Sequence, residues 1–239
     1  MRLNKYLSVH GICSRREADR LITQGRVYVN GQKAVLGQEA GQDDLVVVDG
    51  KETARQTREI FYAVHKPRGV VVTTDRSRGD RVLEDLVPKT HRVFAVGRLD
   101  KESEGLILMT NNGDVSNRIQ KARSFHEKEY VVRTDHPLSE DFLSKMRKGV
   151  FLEELHRTTR PCKVSRVSKD SFRIILTEGM NRQIRRMCKA LGYEVVALKR
   201  VRVMNILLGN LPAGGYRSLS QEEIAELKRQ LYGRERDDA

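Results

Sequence analysis

Tryptophan is absent, and aromatic residues make up only 5% of the chain, so any stacking platform for a planar ligand must use a few tyrosines and phenylalanines. Cysteine is also scarce. Cys13, Cys162 and Cys188 lie far apart, with no Cys-x-x-Cys pair and no histidine at a zinc spacing. That excludes a disulfide scaffold and argues against a structural metal site. No apolar run approaches the roughly 18 residues of a membrane-spanning helix, and Met1-Arg2-Leu3-Asn4-Lys5 lacks the apolar stretch of an export signal. There is no glycine-rich strand-to-helix loop of the kind that cradles a nucleotide. The expectation is a cytoplasmic protein with no membrane contact and no metal, nucleotide or redox cofactor.

Acidic residues are outnumbered. Lys and Arg total 45 against 32 Asp and Glu, a formal net charge of +13. Such an excess speeds encounter with polyanions without choosing among them. Its distribution says more. Residues 1–36 carry seven basic and two acidic side chains, and residues 181–202 carry seven and one, so two stretches supply +11 of the +13. Two separate contact surfaces are implied.

The first basic stretch has the pattern of a small helical module. Leu3, Tyr6 and Leu7 share one side of a short helix. Ser14-Arg15-Arg16-Glu17 reads as a capping box opening a second helix, with Ala18, Leu21 and Ile22 on its apolar face and Gly25 at its end. Arg26-Val27-Tyr28-Val29 alternates as a strand into an Asn30-Gly31 turn, a hairpin signal. Leu45–Val48 is expected to be another strand, and the polar stretch after it a linker.

From Ile60 a second domain is expected. Strands are predicted over Phe61–Val64, Gly69–Thr73, Arg92–Val96, Leu106–Met109, Tyr130–Arg133 and Phe172–Leu176, with a charged loop over 97–105. Helices are predicted over Ser139–Met146 and Asn181–Leu191, and a third begins at a second capping box, Ser220–Glu223. Many short strands with interspersed helices, and no regular βαβ alternation, give an α+β class.

Several blocks resemble known families. Arg2-Leu3-Asn4-Lys5-Tyr6-Leu7, Cys13-Ser14-Arg15-Arg16-Glu17-Ala18 and Gly25-Arg26-Val27-Tyr28-Val29-Asn30-Gly31 resemble the S4 RNA-binding domain. The resemblance implies that Arg2, Lys5, Arg15, Arg16, Arg20 and Arg26 face folded RNA, where guanidinium groups can pair with phosphates. Gly97-Arg98-Leu99-Asp100-Lys101-Glu102-Ser103-Glu104-Gly105-Leu106 resembles the active-site motif of the RsuA/RluB/RluF-type pseudouridine synthases. Lys66-Pro67-Arg68-Gly69, Lys128-Glu129-Tyr130 and Glu178-Gly179-Met180-Asn181-Arg182-Gln183-Ile184-Arg185-Arg186-Met187 follow in that branch's order. Ile184–Cys188, Tyr193-Glu194-Val195 and Arg200–Asn205 look most like its RluF-like members, which act on large-subunit rRNA. The implied organisation is an S4-like domain at 1–48, a linker at 49–59, a catalytic domain at 60–232 with a mixed, largely antiparallel sheet, and a disordered tail at 233–239.

The resemblance also assigns roles. Asp100 is the expected nucleophile, attacking the ribose or driving a glycal-like intermediate. Read alone, a loop aspartate between Arg98 and Lys101 is a turn residue or salt-bridge partner. Tyr130 is expected to stack on the target base, and Arg185 to contact Asp100 or a phosphate. Arg98 is expected to position Asp100 or replace the everted nucleoside, Lys66 to approach a phosphate, and Leu176 to pack beneath the base. Arg182 and Arg186 are further basic candidates; the plain account of all three helix arginines is a solvated face. His65, Asn112 and Tyr216 depart from the branch's usual residues, and His65 reads as a hydrogen-bonded structural residue. The expected partner is structured ribosomal RNA, with tRNA, small-subunit rRNA or ribosome-assembly intermediates as alternatives, and the expected state is a monomer. The rival reading is an S4-containing RNA chaperone or assembly factor, which has no need for Asp100, Tyr130 and Arg185 to converge.

Overall fold

The computed structural model describes residues 1–41, 43–53, 58–77, 79–121 and 125–233, which divide into two compact units. The expected tail beyond Gly233 and residues 54–57 of the expected linker lie outside the described residues. No described helix is long and apolar enough to cross a membrane.

The first unit holds α1 (Leu3–Val9) and α2 (Arg15–Thr23), then strands β1 (Val27–Val29), β2 (Gln32–Lys33), β3 (Val46–Val48) and β4 (Lys51–Glu52). The strands form an antiparallel sheet in the order β2-β1-β3-β4. Leu3, Tyr6 and Leu7 of α1 pack with Ala18, Leu21 and Ile22 of α2 against Val27, Val29, Val46 and Val48. The expected capping box is half made. Ser14 Oγ accepts from the Glu17 amide, but the Glu17 carboxylate turns outward to Arg20, 2.7 Å away. The stretch expected to be linker contributes β4, because Lys51 and Glu52 complete the pairing of β3 and the Thr53 amide donates to Val46 O.

The second unit is built on one nine-stranded sheet. Its strands are β5 (Phe61–Lys66), β6 (Phe94–Val96), β7 (Glu104–Thr110), β8 (Lys128–Thr134), β11 (Lys163–Arg166), β12 (Ser171–Leu176), β13 (Val195–Val203), β14 (Ile206–Leu207) and β15 (Tyr216–Ser218). A separate hairpin pairs β9 (Phe151–Leu152) with β10 (Arg157–Thr158). The main order is β11-β12-β8-β13-β7-β5-β15, with β6 beside β7 and β14 beside β13. Every pairing is antiparallel except β13 with β7. The mixed sheet is therefore as expected.

Four helices belong to this unit: α3 (Gly113–Gln120), α4 (Glu140–Lys148), α5 (Gln183–Ala190) and α6 (Gln221–Tyr232). Phe142, Leu143 and Met146 of α4 and Ile184, Met187 and Cys188 of α5 bury against Phe172, Ile174, Leu176, Val132 and Leu198. Val115 and Ile119 of α3 and Leu227 and Leu231 of α6 bury against Leu106, Leu108, Val96 and Val203. The sheet thus carries two adjacent apolar cores. Ser139 caps α4, and Ser220 with Glu223 makes the full capping box expected at α6.

Three expectations need correction. Gly69–Thr73 is not a strand. Gly69 has φ +87° and donates to Lys101 O, and only Val71 bridges to Val82. The strand expected from Arg92 begins at Phe94. The helix expected from Asn181 begins at Gln183, because Arg182 is left-handed (φ 52°).

The parallel pairing of β7 with β13 has one steric condition. Gly105 pairs with Arg200 at φ +113°, and a Cβ there would lie 2.2 Å from Arg200 O and 2.5 Å from its N. Gly97, also at positive φ (+78°), has only the Gln120 side chain near its Cβ position, at 3.9 Å. Gly105→Ala is expected to destabilise the protein by about 3 kcal/mol or more, combining backbone strain with a forced displacement of β13. Gly97→Ala meets only the left-handed penalty and is expected to lose about 1–2 kcal/mol. Urea unfolding midpoints of the two variants separate the two effects.

Candidate active site

Between the two apolar cores, on the helix-covered face of the sheet, lies a cleft of about 440 Å³. It is lined from one core by Leu176, Ile184 and Leu198 and from the other by Val96, Ile119 and Val203. Asp100 enters it on the loop joining β6 to β7. Lys128 and Tyr130 enter from β8, and Arg182 and Arg185 from the start of α5. The period-two alternation of β8 puts Lys128 and Tyr130 on the cleft face. Glu129 takes the other face, where it accepts from Arg173 and from Arg202 Nε, which ties β12, β8 and β13 together. Burial alone would raise the Glu129 carboxyl, yet Arg202 and Arg173 hold it below its ordinary range.

The Asp100 loop is fixed at both ends. The Ser103 amide donates to Asp100 O at 3.1 Å, closing a turn. Lys101 O accepts from the Gly69 amide at 2.8 Å and from Lys66 Nζ at 3.4 Å, while Lys66 Nζ also donates to Pro67 O at 2.9 Å. The Lys66–Gly69 segment is therefore a brace for the Asp100 loop. Lys66 is wholly buried, is not among the residues lining the cleft, and gives its ammonium to two carbonyls, a different place from the phosphate approach expected from the sequence. The long aliphatic stem that made it a reaching cation instead lets it run inside the structure to two carbonyls.

The arginines of α5 divide their work differently from the expectation. Arg182 Nη1 lies 3.8 Å from Asp100 Oδ2 and 3.1 Å from Glu102 Oε2. Arg185 instead donates from Nη1 to Val195 O at 3.0 Å and from Nη2 to Ser103 Oγ at 3.4 Å, tying α5 to β13 and to the foot of the loop. Arg185 still feels Asp100 electrostatically, after its burial and the larger influences of Arg182 and Glu102. Glu102 is held below the usual carboxylate range by its own backbone amide and by Arg182. Arg186 turns away from the cleft, donating to Asn181 O and pairing with Glu154. Arg98 lines the cleft, is exposed, and makes no hydrogen bond or ion pair among the described residues.

Leu176 is buried in the core and also lines the cleft, so the base-packing and structural readings both fit its position. Tyr130 is half-buried. His65 is buried with Nδ1 2.7 Å from Leu211 O, the structural role expected of it.

The sequence reading missed Glu178, Lys128 and Arg200. Buried Glu178 accepts from the Arg160 amide and from Gln183 Nε2, both at 2.9 Å, and Gln183 Oε1 accepts from the Met180 amide. That network fixes the turn that projects Arg182. The i, i+2 relation of Lys128 to Tyr130 was a usable signal for Lys128. Arg200 inside an otherwise apolar strand was another.

Among the described residues no three His, Cys, Asp or Glu side chains group as metal ligands. Burial pushes the thiols of Cys162 up to about 11 and of Cys188 up to about 12, so neither offers a thiolate at neutral pH. Asp100 and Glu178 both line the cleft; Glu178 is buried and taken up by the Arg160 amide and Gln183, which leaves Asp100 as the carboxylate open to a ligand beside Tyr130 and the arginines.

In the first unit the expected RNA-facing cations fall into two groups. Arg20 is paired with Glu17, and Arg26 holds Asp49 through two 2.6 Å bonds. Arg2, Arg15 and Arg16 are exposed and make no ion pair among the described residues, while Lys5 is half-buried.

Burial pushes Lys66 down to about 8, against the opposing pull of Asp100, Glu102 and Glu104. Its folded value lies below its unfolded one, so between about pH 8 and 10.5 the unfolded chain binds more protons and this residue makes stability rise with pH. Below pH 8 both states are protonated and its contribution is flat. Lys66→Met is expected to remove that rise, which urea titrations of wild type and variant at pH 7.5, 9 and about 10.5 would show as a narrowing stability advantage of the variant.

The comparisons with known proteins agree with this geometry. A family profile for RNA pseudouridylate synthase matches residues 60–190, and one for the S4 domain matches residues 1–46. The chain is 46% identical over 229 residues to the dual-specificity RNA pseudouridine synthase RluF of Escherichia coli strain K12, covering 95% of this chain and 78% of the relative. It is 33% identical over 235 residues to the ribosomal large subunit pseudouridine synthase B of Bacillus subtilis, covering 95% of each. A crystal structure of a pseudouridylate synthase superposes with TM-score 0.71 at 27% identity, covering 95% of this chain and 99% of that one. Alike in sequence, in fold and in domain order, this chain belongs to the RNA pseudouridine synthase family, in its RluF-type, S4-bearing branch.

Proposed function

We propose that the protein converts a uridine of large-subunit ribosomal RNA into pseudouridine, with Asp100 as the catalytic carboxylate. The observation that carries this reading is the convergence of Asp100, Tyr130, Arg182 and Arg185 on one nucleoside-sized cleft. A chaperone has no use for that convergence. The large-subunit assignment draws support from the Bacillus subtilis relative named for that subunit. The dual specificity named for the RluF relatives supports a second RNA, for which tRNA and small-subunit rRNA are the candidates, free or in ribosome-assembly intermediates. A monomer is the state inferred for the protein, and three free thiols fit a reducing cytoplasm.

The chemistry follows from the side chains. A base held in a helix or stack hides its reacting atoms, so the uridine must be everted into the cleft. Exposed, unpaired Arg98 stands at hand to fill the space it leaves. Asp100 lies 3.8 Å from the Arg182 guanidinium, with Lys66 and Arg185 close enough to feel its charge. It adds to C1′ as the N1–C1′ bond breaks, or it removes the C2′ proton to give a glycal; both routes start from the same ionised oxygen. The released uracil turns between Tyr130 and Leu176, where aromatic stacking contributes about 1–3 kcal/mol to holding it. C5 then bonds to C1′, displacing the Asp100 oxygen in the first route or, in the second, as Asp100 returns the proton to C2′; the C5 proton is lost and N1 gains one, which leaves Asp100 as it began. The reaction is an isomerisation and consumes no co-reactant.

Asp100→Asn is expected to retain RNA affinity and fold while forming no pseudouridine, as read by mapping modified positions in ribosomal RNA fragments; normal product from this variant would refute the assignment. Arg182→Gln is expected to leave stability within about 0.5 kcal/mol, since an exposed pair contributes little, but to lower kcat by loosening Asp100. Arg185→Gln breaks two internal hydrogen bonds and is expected to lower stability by about 1–3 kcal/mol. Urea unfolding alongside single-turnover assays distinguishes the two arginines.

A further inference from the structure

One wall of the cleft has no part in the chemistry described so far. It is formed where β8 and β13 face α3 and β6, and its polar groups are Lys128, Arg200 and Gln120, set among Val96, Ile119 and Val203. Arg200 pairs in register with Tyr130, and Val203 with Lys128, so the two cations stand diagonally on neighbouring strands beside the stacking tyrosine.

Arg200 is 3% exposed. Its Nε donates to Leu106 O at 2.6 Å, which anchors the guanidinium, but its Nη2 has no hydrogen-bond partner among the described residues. Among the described residues Lys128 Nζ reaches only His126 O, at 3.4 Å. Burial first, and then the positive charge of Arg200, push Lys128 down to about 8, and no carboxylate offsets either effect. The contrast with the opposite face is plain. There Arg202 and Arg173 are matched by Glu127 and Glu129. Two desolvated cations side by side with no internal counter-ion, one with an unmet donor, are costly to fold around. The same arrangement is favourable once a ligand supplies a negative charge.

We propose that Lys128 and Arg200 form a phosphate-binding subsite that grips a backbone phosphodiester flanking the everted uridine. The inference rests on the reading of the cleft as the nucleoside site. A phosphodiester suits it better than the base edge, because its charge is permanent and arrives with the RNA, whereas uracil is neutral when it enters and would leave both cations uncompensated. Its two free oxygens can take the Arg200 Nη2 donor and the Lys128 ammonium together. The fixed register of Arg200 with Tyr130 would couple the two grips: the strand is held at its phosphate while the base is held at its face. The subsite would also be local. The solvated arginines of the first unit attract any polyanion, but a desolvated pair inside a cleft meets only a strand that has already opened a nucleotide into it.

The test uses the full-length protein on the Asp100→Asn background, so that binding is read without turnover. Lys128→Gln is expected to raise the Kd for a defined RNA fragment about tenfold or more, the range of a charge-assisted hydrogen bond. It is also expected to reduce the slope of log Kd against log salt by about 1. A fragment with one neutral methylphosphonate at the gripped position is expected to bind the parent protein at least as weakly as the unaltered fragment binds Lys128→Gln, because it removes the partner of both cations, and Lys128→Gln is expected to add no further loss on that fragment. Arg200→Lys keeps the charge and is expected to retain most of the affinity, which guards against a fold-level effect. Unchanged affinity and salt slope in Lys128→Gln would overturn the proposal. So would losses that stay additive with a methylphosphonate at every flanking position. In an Asp100-containing protein, kcat/KM is expected to fall in step with affinity; a large drop in kcat at saturating RNA with unchanged Kd would assign the pair to the departing base instead. None of these binding results depends on whether Asp100 is the nucleophile.

Discussion

The approach of two backbones at Gly105 and Arg200 is the constraint on which the site depends. It lies in the sheet's single described parallel pairing, and it leaves no room for a Cβ. Because β7 must start there, the loop before it, carrying Asp100, is delivered to the edge where β8 and β13 present Tyr130 and Arg200. Antiparallel neighbours could have exchanged hairpins. A parallel contact needs its strands brought from far apart in the chain, and here about 90 residues separate them. Residues from three distant segments therefore meet because one glycine permits the crossing. The Lys66–Gly69 brace then fixes the loop from beneath, through carbonyls rather than through the Asp100 carboxylate itself.

Charge in the cleft is divided between a balanced part and an unbalanced one. Asp100 and Glu102 share their surroundings with Arg182, Arg185 and Lys66, so carboxylates and cations are matched there without a ligand. Lys128 and Arg200 lack such compensation. An enzyme that must hold a reacting anion of its own and also receive a polyanionic substrate faces a conflict, since cations enough for the RNA would otherwise quench the nucleophile. Placing the two sets on different walls, with Asp100 near the arginines of α5 and the unpaired cations beside α3, resolves it by geometry.

Much of this was legible in the sequence, and the gaps have physical reasons. The apolar faces of α1, α2, α4 and α6 follow from three- and four-residue spacing, and the buried faces agree. The Asp100 loop between two apolar runs was also visible. Strand pairing was not, because which strands become neighbours depends on contacts far apart in the chain. Arg200 therefore read as one more cation in a basic stretch, although its strand register buries it. Left-handed Arg182 precedes α5 instead of opening it and stands beside Asp100, where the resemblance had named only Arg185, as a contact of Asp100 or of a phosphate. Local pattern names the helix but does not set its phase. Lys66 misled for a related reason: a lysine beside a proline reads as a surface loop, and only the tertiary carbonyls at Pro67 and Lys101 make its burial tolerable.

The two units also handle positive charge in opposite ways. Arg15 and Arg16 occupy the first turn of α2, where the helix dipole disfavours cations, and they form no compensating pair among the described residues. They lower the stability of their own helix slightly, which is the signature of residues kept for an outside partner. Being solvated, they act at the range of the Debye length and fade with salt, so they suit capture of RNA without regard to its sequence. Arg20 and Arg26 are more restrained, since RNA must compete with Glu17 and Asp49 for them. In the cleft of the second unit Arg200 is buried and anchored to Leu106 O, and Lys128 beside it is half-buried, so the charges of this pair act at short range and are felt by groups that enter the cleft rather than by those in solvent.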